Sequence, residues 1–351
     1  MGGVIERFDL GGGYRISRII KGGWQLSAGH SEVVSADPVG DMLVFARRGI
    51  DTFDCADIYT GVEALVGRFL ARNRADAHPV PVKVHTKCVP DDDALPGLRR
   101  RDVQRIVDRS LRRLGLERLD MVQFHWWNTQ LPAYVEAAGW LRDLQQSGKI
   151  DRLSLTNFNT QTTREILDAG IPLATTQVQY SLLDTRPEKS LADLCAAHGM
   201  HLLCYGTLAG GFLSERWLGV TDPLAQSTTL ENRSLIKYRL IIEEIGGWAL
   251  FQSLLETLAA IGARHGVGIA AVASRWVLEQ PRVAAVIIGA RDTKHLDRYA
   301  ELFRFQLSER DHREIDALRG GMTVPPGDVF DLERDRSGRH GRIMKYNLNT
   351  G

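Results

Sequence analysis

Short apolar runs of strand length alternate with longer segments of helical periodicity along most of the chain. The predicted strands lie at about residues 17–22, 50–55, 80–86, 119–125, 152–156, 174–180, 201–205 and 283–289. Several of the segments between them have apolar positions at helical spacing and end in a glycine suited to a helix C-cap. Strands that alternate with helices predict βαβ units. Eight such units predict one α/β domain, a closed parallel (β/α)8 TIM barrel.

Three segments fall outside this alternation. Residues 8–17 (FDLGGGYRIS) predict an N-terminal hairpin that plugs the bottom of the barrel. Residues 206–247 are too long for a simple connection, which predicts a long βα loop at the C-terminal mouth, where barrels hold their ligands. Residues 319–351 lack periodicity. We therefore expect a barrel domain over 1–318 and a C-terminal tail or flap over 319–351.

The composition is that of an ordinary globular protein. The chain has 351 residues, of which 44% are hydrophobic and 25% charged, so it can bury a large core. A formal net charge of +1 indicates neither a nucleic-acid nor a membrane-surface partner. The N-terminus lacks an apolar signal core, and no run approaches the roughly 18 apolar residues of a membrane span. Four cysteines without C-x-x-C spacing predict reduced thiols in a cytoplasmic protein. Both a monomer and a homo-oligomer are compatible with the sequence.

Four polar side chains lie at or just after the ends of predicted strands. They are Asp54, Tyr59, Lys87 and His125, in the stretches TFDCADIY, VKVHTK and MVQFHWW. Because the carboxyl ends of parallel barrel strands meet at one mouth, we expect them to lie together. A buried ammonium at Lys87 requires a carboxylate, which Asp54 would supply. The ammonium would lower the pKa of Tyr59 and tune its phenol to protonate an alkoxide, while neutral His125 would polarise a carbonyl as a hydrogen-bond donor.

Other interpretations of these residues stay open. Each of the four has a structural alternative as a hydrogen-bond partner at a strand end. A metal site built from His85, His125 and Asp54 is disfavoured, because no H-x-H motif or carboxylate cluster accompanies them, so we expect no metal. A Schiff-base aldolase that uses Lys87 is also compatible with a barrel.

The segment 99–113 carries seven arginines. They would either attract an acidic partner or form a charged outer helix of the barrel, and the outer helix is the better interpretation.

The segments that carry these residues resemble the aldo-keto reductase family. GIDTFDCADIYTGVEALVG resembles the family's signature near the second strand, with Asp54 and Tyr59 at matching positions. VHTK resembles the segment that supplies the family's lysine, and VQFHWW the segment that supplies its histidine. The resemblance continues in order through SLTNFN, TTQVQYSLLD, CYGTLAGGFLS and VIIGARDTKHL, to about residue 318.

The resemblance implies an NAD(P)H-dependent oxidoreductase that reduces an aldehyde or ketone to an alcohol, and the reverse, with Tyr59 as the proton donor. It implies NADP (NADPH) as the cofactor, with NAD as the alternative. A nucleotide-binding regulatory subunit with little turnover is the second function to weigh, since the family includes channel-associated members. The small-molecule carbonyl is the expected partner.

The resemblance also implies which residues bind the cofactor. Thr156, Asn157 and Gln177 would bond the carboxamide, Tyr205 would stack on the nicotinamide ring, and 206–211 would cradle the pyrophosphate. The full implied set is Gly23, Thr156, Asn157, Gln177, Tyr205, Gly206, Thr207, Leu208, Gly210, Gly289, Arg291 and His295.

The adenosine end of the site departs from the family pattern. Gly289 occupies a common lysine position, and Arg298-Tyr299 replaces an expected Glu-Asn pair. Positive charge remains nearby, at Arg291, Lys294, His295 and Arg298. Such a cluster suits a 2′-phosphate and favours NADP, although a solvated helix face is the alternative.

Three tryptophans indicate the chemistry of the substrate. Trp24, Trp126 and Trp127 follow the first and fourth predicted strands, where they would wall an apolar pocket around the carbonyl. They favour an aromatic or otherwise flat substrate. Core packing explains at least one of them equally well.

Overall fold

The predicted barrel is confirmed. The computed structural model describes residues 4–28, 35–188, 190–223 and 233–348. An antiparallel hairpin is formed by β1 (Arg7–Asp9) and β2 (Arg15–Ser17). The closed parallel barrel consists, in chain order, of β3 (Ile19–Gly22), β4 (Thr52–Asp54), β5 (Lys83–Cys88), β6 (Leu119–Phe124), β7 (Ile150–Thr156), β8 (Thr175–Gln179), β9 (His201–Tyr205) and β10 (Val283–Gly289). Strand β10 pairs with β3 and closes the ring.

The helices form the outer layer and the mouth. They are α1 (Pro38–Arg47), α2 (Val62–Arg74), α3 (Arg100–Leu114), α4 (Tyr134–Gln146), α5 (Thr160–Asp168), α6 (Ser190–Ala197), α7 (Arg233–Glu244), α8 (Trp248–His265), α9 (Ile269–Glu279), α10 (Leu296–Glu301), α11 (Glu309–Arg319) and α12 (Asp331–Arg334). Helices α1 and α11 begin with side-chain caps. The Asp37 carboxylate accepts from the Gly40 amide at 2.9 Å before α1, and Ser308 and Asp311 form a capping box at α11.

No single helix in the described residues is long and apolar enough to cross a membrane. Helices α7 and α8 meet that test only together, across a bend of 100°.

The hairpin packs into the lower end of the barrel, as predicted. Its Tyr14 and Ile16 belong to one buried cluster with Ile20, Met121 and Leu203 of the barrel strands. Side chains alternate between the two faces of a barrel strand, and those on the outer face pack against the helices. Ile20, Met121 and Leu203 lie on the inner face. The barrel interior is therefore filled from below, which leaves its upper end for polar side chains.

Helix α3 is an outer barrel helix that packs between α2 and α4. Two of its arginines reach back to buried acids near the end of β4. Arg109 donates to Asp57 at 3.4 Å, and Arg113 donates to the Asp57 carbonyl at 3.1 Å and to Glu63 at 3.3 Å. The carboxylates of Asp57 and Glu63 are almost fully buried, so these contacts hold the loop between β4 and α2 in place.

The chain after α11 crosses the barrel mouth. Glu333 of α12 is 1% exposed and bonds to the Arg186 guanidinium at 3.4 Å and to Lys237 of α7 at 3.0 Å. At the far end, the Leu348 amide donates to Asp91 after β5 at 2.7 Å. We call residues 320–348 the strap, because this segment crosses the mouth and contacts the rest of the barrel domain through both Glu333 and Leu348.

Candidate active site

A cleft of about 500 Å³ opens at the carboxyl ends of the barrel strands, between the strap and α7. The four polar residues predicted to lie together, Asp54, Tyr59, Lys87 and His125, all line this cleft. Each lies at or after the end of a strand of the same barrel. The cleft is lined near the barrel axis by Asp54, Tyr59, Lys87, His125, Thr156 and Gln177. From there it extends to the loop after β9 and to the end of β10.

Lys87 and Asp54 form a buried ion pair. They lie on neighbouring strands, and each side chain is 5% exposed. The Lys87 ammonium donates to both Asp54 carboxylate oxygens at 2.7 Å and to the Cys55 carbonyl at 2.9 Å, so its three donors are all used. Gln123 and Gln177 each donate to Asp54 Oδ1 at 2.7 Å. The carboxylate therefore ties the ends of four strands, β4, β5, β6 and β8, to one point.

Tyr59 lies beside this pair, on the loop after β4. The Lys87 ammonium is 5.3 Å from the centre of its ring, and the Trp24 ring centre is 4.9 Å away. Burial, followed by the Asp54 carboxylate, holds the pKa of Tyr59 well above its ordinary value. The prediction of a lowered tyrosine pKa was therefore wrong. Asp54 neutralises the ammonium, so the phenol keeps its proton and can donate it.

His125 is uncharged and has a defined tautomer. Burial, with smaller contributions from Arg334 and Lys87, lowers its pKa to about 3. Nδ1 lies 3.0 Å from the Thr156 carbonyl oxygen, and because a carbonyl only accepts, Nδ1 carries the proton. Nε2 is then an acceptor, and it is enclosed without a partner among the described residues. The expected role of His125 as a donor to a carbonyl does not fit this geometry.

Most of the expected cofactor positions line the same cleft, but two do not. The lining includes Thr156, Asn157, Gln177, Tyr205, Gly206, Thr207, Leu208, Gly210, Gly289 and Arg291. Gly23 lies behind it: a β carbon there would come within 2.9 Å of the Asp54 carbonyl, so this glycine permits close packing of two strand ends. His295 is the N-cap residue of α10 and lies outside the cleft.

The amide-bearing residues are linked to one another. Asn157 adopts a left-handed backbone conformation (φ +62°), and its side-chain oxygen accepts from the Tyr205 hydroxyl at 2.9 Å. Gln177 bonds to Asp54, as described above, and its Oε1 accepts from the Thr156 hydroxyl at 3.4 Å. These residues offer amide and hydroxyl groups suited to a carboxamide ligand beside Tyr59.

The loop after β9 presents bare backbone to the cleft. Gly206 and Gly210 have positive φ angles of +73° and +66°. A β carbon on Gly206 would lie 2.1 Å from the Tyr238 hydroxyl, and one on Gly210 would lie 2.9 Å from the Tyr238 ring. Tyr238 and Lys237 of α7 line the cleft here. The sequence did not reveal them, because they come from the middle of the long segment 206–247.

The tryptophans separate into two groups. Trp24 and Trp127 line the cleft, and the Trp127 ring packs edge-on against His125 with centres 4.3 Å apart. Trp126 is fully buried in the core, and its indole N–H donates to the Asn128 and Leu131 carbonyls. The expected substrate role of Trp126 is therefore replaced by core packing. Phe330 and Met344 of the strap line the cleft in addition, which the sequence did not show.

Among the described residues, no group of three or more histidine, cysteine or acidic side chains is arranged to hold a metal ion.

The comparisons with known proteins agree with this architecture. The model of the aldo/keto reductase family matches residues 18–319, and the chain belongs to this family. A probable aldo-keto reductase of Glycine max is 25% identical over 324 residues, covering 90% of this chain and 88% of that protein. An NADH-specific methylglyoxal reductase of Escherichia coli is 24% identical over 316 residues, and the match covers 84% of this chain and 92% of that protein. The structure of a glycerol dehydrogenase from Gluconobacter oxydans matches with a TM-score of 0.74 at 25% sequence identity. The match covers 92% of this chain and 97% of that chain.

Family membership supports carbonyl reduction in general, small-molecule carbonyl substrates and a nicotinamide cofactor.

The close contact between Gly206 and Tyr238 gives a stability prediction. Gly206→Ala should destabilise the fold by about 1 kcal/mol for the left-handed backbone and by about 1–3 kcal/mol more for the overlap with Tyr238. Gly170→Ala is a matched control, because Gly170 has φ +72° with nothing within 4 Å of an added β carbon. Urea unfolding compares the two. In a Tyr238→Phe background the extra cost should shrink. Equal costs at both glycines would contradict the packing of α7 on this loop.

Proposed function

We propose that the protein reduces an aldehyde or ketone to an alcohol and catalyses the reverse reaction. The observation that carries this proposal is the buried Lys87–Asp54 pair beside Tyr59, in a cleft that continues to the glycine loop after β9. A nicotinamide dinucleotide bound along this cleft would supply or accept the hydride. The residues of the chain bind the two reactants, exclude water and move the proton.

Tyr59 is the proposed proton donor. Its raised pKa keeps the phenol protonated at neutral pH, so the hydroxyl can hydrogen-bond to a carbonyl oxygen and protonate the alkoxide that forms. Lys87 supports this step through its position, because its ion pair with Asp54 holds the end of β4 in place and Tyr59 lies on the loop that follows. Asp54 holds Lys87 in place. His125 Nε2, an acceptor, would receive a hydrogen bond from a hydroxyl group and so orient the alcohol or Tyr59.

We expect the residues along the cleft to bind the parts of the cofactor in order. The side-chain amides of Asn157 and Gln177 would hydrogen-bond to the carboxamide, and the Tyr205 ring would stack on the nicotinamide. The backbone of the loop 206–211, which lines the cleft, would receive the pyrophosphate. On the other side of Tyr59, Trp24 and Trp127 would wall an aromatic or flat substrate.

We propose NADPH rather than NADH as the preferred cofactor, on the position of one arginine. Arg291 lines the cleft just after β10, where the adenosine end would lie. Lys294 lies 3.4 Å from the carboxylate of Asp292 and is 80% exposed, so its charge is already partly balanced. The E. coli relative, by contrast, is named as NADH-specific.

Replacement of the proton donor gives the first test. Tyr59→Phe should lower kcat for reduction of an aromatic aldehyde by about a hundredfold or more, with little change in the Kd for NADPH. Loss of nicotinamide absorbance measures turnover, and fluorescence titration measures binding. Tyr134→Phe is the control, because the Tyr134 hydroxyl bonds to Glu165 outside the cleft. Full turnover in Tyr59→Phe would exclude the assignment. Tight cofactor binding by the unaltered protein without turnover on any carbonyl would favour a regulatory role.

The phosphate contact gives a second test. Arg291→Ala should raise the Kd for NADPH about tenfold and leave that for NADH unchanged, because only NADPH carries the 2′-phosphate. Lys294→Ala, which removes an exposed and paired charge, should have a smaller effect. Equal affinity of the unaltered protein for the two cofactors, or an equal loss for both in Arg291→Ala, would contradict the proposed phosphate site.

A further inference from the structure

Arg334 brings a guanidinium from the strap into contact with the site. It is the last residue of α12, beyond residue 319, where the match to the family model ends. Its Nη2 donates to the Trp126 carbonyl at 3.3 Å and also to the Asn157 carbonyl. The two carbonyls belong to segments that follow different strands, β6 and β7. One side chain of the strap therefore bridges two strand ends.

Both bridged segments hold residues of the proposed chemistry. Trp126 directly follows His125, and Asn157 directly follows Thr156, whose carbonyl accepts from His125 Nδ1. Asn157 has a left-handed backbone, which asparagine tolerates better than most residues and which a hydrogen bond to its carbonyl would restrain further. The bond from Arg334 to the Asn157 carbonyl supplies such a restraint. It acts on the residue proposed to bind the carboxamide.

The surroundings of Arg334 are unusual for a structural arginine. Its Nε and Nη1 atoms are enclosed and have no hydrogen-bond partner among the described residues. The guanidinium lies 5.2 Å from the centre of the Phe330 ring, which in turn packs edge-on against His125 with centres 5.6 Å apart. Enclosing a charged group with unused donors costs free energy. A contribution to the site offers a reason for such an arrangement.

The neighbouring Glu333 anchors this segment. Its carboxylate bonds to Arg186, which also donates to Asp184 at 2.7 Å, and to Lys237 of α7. This buried network connects the strap to the loop after β8 and to the helix that covers the glycine loop. Because Glu333 and Arg334 are adjacent, the network fixes the position from which Arg334 reaches the two carbonyls.

We propose that Arg334 is a positioning residue of the active site, which fixes the His125 and Asn157 segments relative to each other and places a positive charge beside His125. The proposal rests on the proposed carbonyl reductase function. It assigns the strap a part in the chemistry, beyond covering the mouth.

The charge of Arg334 has a measurable effect of its own. The ionisable groups near His125 are Arg334, Lys87 with its partner Asp54, and Tyr59 in the same cleft. The acids around Arg334 itself are Asp328, Asp331 and Glu333. After burial, Arg334 is the largest cause of the low pKa of His125, ahead of Lys87. Removal of this positive charge should therefore raise the pKa of His125.

The experiment compares Arg334→Met, Arg334→Lys and the control Arg339→Met in the full chain. Arg339 also lies on the strap, but it is 59% exposed and pairs with Glu243. We expect Arg334→Met to lower kcat about tenfold or more, because small displacements of positioning groups are costly, with a smaller change in KM. The acid limb of its pH–rate profile should move up by about one pH unit. Arg334→Lys should lose kcat but keep the acid limb, and Arg339→Met should change neither.

A histidine NMR titration on the free protein separates this proposal from the proposed function. The His125 resonance is assigned by its loss in His125→Gln, and its pKa should rise in Arg334→Met even if no carbonyl is turned over. An unaltered His125 pKa together with an unaltered kcat in Arg334→Met would overturn the proposal. If Arg334→Met does not fold, an unaltered kcat in Arg334→Lys would overturn it. Absence of turnover in the unaltered protein would count against the proposed function alone.

Discussion

The buried ion pair between Lys87 and Asp54 is the constraint on which the site depends. An ammonium enclosed at the mouth of a barrel is stable only if its donors are satisfied, and here two carboxylate oxygens and one carbonyl satisfy all three. The same carboxylate accepts from Gln123 and Gln177, so four strand ends converge on it. Strand β7 joins the arrangement through the bond between His125 and the Thr156 carbonyl. The polar mouth is thus one connected network above the hydrophobic cluster that the hairpin forms with the lower ends of the strands.

This network sets the proton chemistry of its neighbours. Because Asp54 neutralises Lys87, the ammonium does not turn Tyr59 into a phenolate, and burial keeps the phenol protonated. His125 remains uncharged for the same physical reason, since burial disfavours its cationic form. Its Nδ1 proton is committed to Thr156. A protonated tyrosine next to an uncharged, acceptor-type histidine suits proton donation to an alkoxide, and the direction of each pKa shift follows from the burial of the site.

Much of this arrangement could be predicted from local sequence patterns. The eight strands follow from the alternation of apolar runs and helical segments, and residues at the carboxyl ends of strands must meet. The alternation of faces after β6 could also have separated Trp126 from His125 and Trp127, because neighbouring side chains of an extended segment point opposite ways. Gly23 and His295 do not line the cleft, since a resemblance fixes a segment more reliably than each side chain within it.

The contribution of the strap could not be predicted in this way. Phe330 and Arg334 lie about 200 residues along the chain from His125, in a segment without periodicity, and only the folded path brings them together. The same holds for Tyr238 of α7, whose contact with Gly206 arises from the course of a long loop. Contacts of this kind depend on tertiary geometry, whereas strand ends are local features of the sequence.

The pH dependence of the hydride-transfer step shows whether Tyr59 keeps its proton beside the Lys87–Asp54 pair. Single-turnover reduction of an aromatic aldehyde by excess protein loaded with NADPH isolates this step from product release. We expect a rate constant that is flat through the neutral range and that falls on the alkaline side only above about pH 10, the ordinary range of a tyrosine, as the phenol loses its proton. A fall centred between about pH 6 and 9 would mean that Lys87 lowers the pKa of Tyr59 after all, and it would contradict the account.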